Sequence, residues 1–153
     1  MTALSRVVVA AMIPVNIALI LWVWVGRAMF GGTVGLIALI SAFTVVPLLV
    51  IALSMSTWSA LRHTRRHGRL TTAQIVVQLL LWALLLVIGA VLPDVADNNA
   101  EQSVLTRTVG WSGELLTVGF ELAQWLAVAA VACWIAVMAL LSRGRGAVTI
   151  PPH

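Results

Sequence analysis

The chain contains no lysine and only one cysteine, and just 9% of its residues are charged. Each shortage closes off a class of protein. One thiol forms no internal disulfide and supplies no cysteine metal framework. Cys133 lies deep in an apolar run, where cysteine behaves as a small inert hydrophobe. All nine basic residues are arginine, which reads as the coding bias of a high-GC bacterium rather than as chemistry. The long apolar runs hold no histidine, so none offers an axial ligand to a haem.

Catalytic signatures are missing as well. There is no His-Glu-x-x-His zinc motif, no phosphate-binding loop and no cysteine pair. Gly110-Trp111-Ser112-Gly113 lacks the spacing and the strand–turn–helix context of a nucleophile elbow. His63 and His67 can share a helix face, but the arginines around them disfavour a cation. Neither an enzyme, a cofactor nor a metal site is expected.

What the chain does have is hydrophobic length. It is 61% hydrophobic, with a mean hydropathy of +1.07, where a soluble domain is about half apolar and about a quarter charged. Four apolar blocks, at about residues 7–25, 34–55, 75–92 and 115–141, each reach the ~20 residues of a bilayer span. The fold expected is an all-α integral membrane bundle of four transmembrane helices, forming one domain over residues 1–153. Arg6 precedes the first block, but the block exceeds the h-region of a signal peptide and no clear cleavage site follows, so it reads as a retained helix.

Local signals refine the blocks. Pro14 and Pro47 free the carbonyls of Ala10 and Phe43, and Pro47 divides the second block. Thr71-Thr72-Ala73-Gln74 fits a capping box, with Thr71 as N-cap and Gln74 at N3. Between the second and third blocks lies a basic stretch, residues 61–70, read as a loop carrying Arg62, Arg65, Arg66 and Arg69. Residues 94–112 form a solvated loop with Asp94, Asp97 and Glu101 against Arg107. Trp22, Trp24, Trp58 and Trp111 sit near block ends, as interfacial indoles do; Trp82, Trp125 and Trp134 sit deeper and suit packing or lipid contact.

Charge sets the orientation. With four spans, Arg6, the four arginines of the basic stretch, Arg143 and Arg145 fall on one side, and only Arg27 and Arg107 on the other. Seven against two predicts both termini in the cytoplasm of a bacterial plasma membrane. The net charge of +4 therefore marks topology and attraction to anionic lipid, and no nucleic-acid partner is expected.

The fourth block carries two distinct stripes. Glu114, Thr117, Glu121 and Gln124 gather on one, and Gly119, Ala123, Ala127 and Ala130 on another. Polar groups avoid lipid and small residues let another helix approach. Both faces are thus expected to be covered, with the fourth helix central or facing a partner in a homo-oligomer or a larger membrane complex. Counting depth along each helix puts Gln124, Asn16 and Thr44 at roughly mid-membrane, with Ser41 near Glu121. A polar cluster of Glu121, Gln124, Asn16, Ser41 and Thr44 is expected on the first, second and fourth helices, with the third packing by aliphatic contact. The function these features suggest is that of an accessory, scaffold or interaction subunit. The alternative is a proton- or cation-coupled small transporter or channel using Glu121, working as an oligomer.

Overall fold

The computed structural model describes residues 3–26, 36–91 and 113–142. All regular structure in them is helical: α1 (Ala3–Val25), α2 (Leu36–Phe43), α3 (Val45–His67), α4 (Thr72–Val91) and α5 (Gly113–Ser142). Four helices among the described residues are long and apolar enough to cross a membrane, over Leu4–Val25, Val45–His67, Thr72–Val91 and Thr117–Ser142. Arg27, Arg107, Arg143, Arg145 and the loop at residues 94–112 lie outside the described residues, as do Trp111 and Ser112.

The two prolines act differently. Pro14 sits inside α1, which continues through it. Ahead of Pro47 the helix breaks: α2 stops at Phe43 and α3 starts at Val45. A proline ring clashes with the carbonyl four residues back, and that carbonyl belongs to Phe43. Thr44 bridges the break, its N–H and its hydroxyl both donating to the Ile40 carbonyl, at 3.1 and 2.9 Å.

The apolar block at residues 34–55 is consequently shared between two helices: α2 takes Leu36–Phe43, and α3, a candidate span by length and apolarity, runs on from Val45 to His67, so that most of the basic stretch is helix rather than loop. No glycine or proline interrupts the chain between Pro47 and Gly68, and Arg65, Arg66 and His67 in the last turn suit the negative end of the helix dipole. Gly68 then ends α3 in the left-handed region, φ 75°, its N–H donating to the Thr64 carbonyl, where a glycine is least strained. The capping box follows at once. Thr71 N–H donates to Gln74 Oε1 at 2.8 Å and Gln74 N–H to Thr71 Oγ1 at 3.3 Å. Arg62, Arg65 and Arg66 thus ride on α3, and only Arg69 lies in the turn.

The long helices form a ring in which α1 packs on α3 and α4, and α5 packs on α4 and α3. α3 and α4 follow one another in sequence but lie across the ring. The helix covered most completely is α4, with 44% of its apolar window buried against 28% in α1, 22% in α5 and 17% in α3. Of the two roles expected for the last helix, central or partner-facing, the central one within the chain falls to α4 instead. The α5 stripe of small residues does serve packing: Gly119, Ala123 and Ala130 are buried, with Cys133, Val137 and Leu141 continuing the seam. Ala127 is exposed. The seam repeats every seven residues (Ala123, Ala130, Val137), and at that period Ala127 turns away from α4.

Candidate functional site

Polar side chains inside the bundle collect on α4. Gln74, Gln78 and Trp82 recur every four residues, on one helix face, and all three are buried. The helix expected to pack by aliphatic contact thus carries a polar contact as well, through Trp82. Near the middle, Asn16 joins three helices. Its Oδ1 accepts from Trp82 Nε1 at 2.8 Å, and its Nδ2 donates to Thr57 Oγ1 at 2.9 Å. The indole only donates, so it fixes which way the amide points. Thr57 passes its own proton to the Leu53 carbonyl at 2.8 Å. The chain Trp82–Asn16–Thr57 ties α4 to α1 and α3 with donors and acceptors matched.

A second knot closes the basic end. Gln74, beyond its capping role, donates from Nε2 to the Leu140 carbonyl of α5 at 3.0 Å and approaches His63 Nε2 of α3 at 3.4 Å. Fully buried Ser5 of α1 accepts from the Leu70 N–H at 3.0 Å. All four long helices meet within this one end. His63 and His67 stack there with ring centroids 4.4 Å apart.

Tryptophans lock the ring elsewhere. Trp22, half-buried near the end of α1, donates from Nε1 to the Leu86 carbonyl of α4 at 2.9 Å. Its indole lies so close to Gly89 that a Cβ there would sit 2.5 Å from Cδ1 and Nε1. Trp134 Nε1 donates to the Ala52 carbonyl at 2.9 Å, joining α5 to α3. Cys133 donates to the Val77 carbonyl at 3.2 Å, a weak bond consistent with a packed thiol. Between the two polar knots, Gln78 is 1% exposed, and neither end of its amide has a hydrogen-bond partner among the described residues.

The structure does not bring the five expected cluster residues together. Asn16 is buried and engaged with α3 and α4, and Ser41 is buried on α2. Thr44 is exposed and bonded within its own chain segment. Glu121 and Gln124 are exposed on α5. Gly119 faces the carbonyl of Val91, 3.6 Å from where a Cβ would be, so it is level with the end of α4. Glu121 and Gln124 then lie only about 3 Å and about 7 Å further in, well short of mid-helix.

One groove opens on the outside, between α1 and α3. It holds about 360 Å³ and is walled by apolar side chains, with Asn16 and Thr57 among its lining. At its basic end stands Trp58, 60% exposed, with the Arg62 guanidinium 4.8 Å from the ring centroid. A smaller apolar cavity of about 100 Å³ lies between α3, α4 and α5 beside Trp134. Among the described residues no three histidine, cysteine or carboxylate side chains group as metal ligands. Comparison with protein-family models, curated proteins and solved structures gives no match for this chain.

Proposed function

We propose that this chain is a small multi-pass protein of a bacterial plasma membrane that acts by interaction, as an accessory or scaffold subunit, with both termini in the cytoplasm. Four helices of sufficient length and apolarity support insertion, and the seven-to-two distribution of arginines supports the orientation. The observation that carries the interaction reading is the outward placement of Gln124 beside Glu121. One face of α5 is already used against α4; the other presents a carboxyl and an amide close to one end of the helix, where facing lipid costs them less than at mid-membrane but more than facing a polar partner. A second copy of the chain, or another membrane protein, removes that cost by covering the stripe.

The test is the assembly state in mild detergent, by native mass spectrometry. The wild type is expected to come out with its partner. The double variant Glu121→Gln, Gln124→Leu is expected to come out alone, with its unfolding midpoint within about 0.5 kcal/mol of the wild type, as for a surface change. A solitary wild type, or a double variant that keeps its partner, removes the proposal. A tag at His153 reachable only from outside overturns the orientation. The transport alternative makes a separate demand: proteoliposomes must carry a proton or cation flux that Glu121→Gln abolishes. Because Glu121 lies on the outside of the ring, such a path runs between copies rather than through one.

A further inference from the structure

We infer that the groove between α1 and α3 is a binding site for one acyl chain of an anionic phospholipid, with Arg62 holding the phosphate. The inference rests on the reading of the four helices as membrane-spanning, and it concerns a surface away from α5.

The groove matches one leaflet in length. Its α3 wall runs from Val50 to Leu61, about 16 Å along the helix axis, and half of a ~30 Å hydrocarbon core is about 15 Å. Ile13, Ile17 and Ile20 form the facing wall on α1. The one deep polar pair, Asn16 and Thr57, spends its hydrogen bonds on each other, on Trp82 and on the Leu53 carbonyl. What remains for an occupant is an apolar trough, the surface an acyl chain covers.

The basic end supplies the headgroup contact. Trp58 is both the last aromatic of the wall and the platform on which Arg62 lies. A guanidinium stacked on an indole keeps its edge donors free, and those donors match a phosphate bidentately. No salt bridge involves Arg62 among the described residues, and Arg65 and Arg66 follow it on the same helix end. Asp94, Asp97 and Glu101 lie outside the described residues, and Glu121 is exposed near the start of α5. An unneutralised cation thus stands at the mouth of a trough one leaflet deep, and a zwitterionic lipid answers only the trough.

The experiment reconstitutes the full chain in bilayers of phosphatidylglycerol and phosphatidylcholine with identical acyl chains, then counts lipid retained on mild-detergent extraction by native mass spectrometry. Wild type is expected to keep one phosphatidylglycerol per chain in preference to phosphatidylcholine. Arg62→Gln is expected to weaken phosphatidylglycerol retention about fivefold, the factor equivalent to ~1 kcal/mol for one arginine at an anionic surface, while leaving phosphatidylcholine unchanged. Ser54→Trp, which fills the trough from an exposed wall position, is expected to lower retention of both. Arg69→Gln, in the turn, is expected to change neither. Equal retention of the two lipids by wild type, an Arg69→Gln loss as large as that of Arg62→Gln, or full retention by Ser54→Trp overturns the site. Failure of the membrane reading looks different, since the chain then washes off the bilayers at alkaline pH before any lipid is counted.

Discussion

Gln74, Gln78 and Trp82 on α4 and Glu121 and Gln124 on α5 are polar side chains on otherwise apolar helices, yet the first set lies inside the ring and the second outside it. The difference comes from what each stripe meets. The α4 stripe faces α1 at Asn16 and faces α5 at the Leu140 carbonyl, where partners of matching chemistry wait. On α5 the residues that meet α4 are Gly119, Ala123 and Ala130, small enough for close approach, and the polar residues are left on the other side. A polar stripe on a hydrophobic helix thus signals a partner without saying whether that partner belongs to the same chain.

The sharpest way to break this comparison is to remove the inner partner. Asn16→Leu leaves the Trp82 indole N–H and the Thr57 hydroxyl without the amide between them. The expected loss is about 2.5 kcal/mol, from the buried Trp82 donor left unpaired and one part-buried bond to Thr57 lost, since the Thr57 hydroxyl keeps its bond to the Leu53 carbonyl, read as a lowered midpoint of detergent unfolding by circular dichroism. A loss below about 0.5 kcal/mol, the size of a surface change, would make the inner stripe no more structural than the outer one. The glycines give a second contrast. Gly89→Ala pushes a methyl into Trp22 and against its bond to Leu86, with an expected cost of about 2 kcal/mol for overpacking. Gly119→Ala meets only ordinary contact with Val91 and is expected to stay within about 0.5 kcal/mol; equal losses at both would erase the distinction between the two helices. One further change has the opposite sign. Gln78→Leu removes an amide buried without partners and is expected to stabilise the bundle by about 1 kcal/mol. A destabilised Gln78→Leu protein would mean the amide is engaged by a group outside the described residues.

Local features were legible in the sequence because their causes are local. The four apolar blocks, the break ahead of Pro47 and the Thr71–Gln74 capping box each depend on a few adjacent residues. The end of α3 was not, because arginine and histidine in the stretch before Gly68 signal a polar face without deciding between helix and loop. The residues of the inner network were harder still. Periodicity groups residues into a stripe but leaves open which helix the stripe faces, and that depends on ring order. Here the order α1, α4, α5, α3 departs from sequence order, so Asn16 meets Trp82 instead of Gln124. Ser5 gave no signal at all: it is an ordinary serine near a helix start whose role appears only when Leu70 is brought beside it. The level of Gly119 was not legible either, since α5 begins before its apolar block and runs past the last described turn of α4.

The diagonal placement of α3 and α4 has a consequence for how the molecule is made. Helical hairpins joined by short turns usually zip together as soon as both arms exist, but these two arms chiefly pack on other helices. During synthesis, where folding proceeds from the N-terminal side, α1 is available to hold both. The opposite flank of each waits for α5, which brings the long seam along α4 and the Trp134 bond to Ala52. Until then α3 and α4 share only one covering neighbour among the long helices, and their inner surfaces are open to quality-control proteases and to stray membrane segments. The last helix in chain order is thus the one that closes the ring.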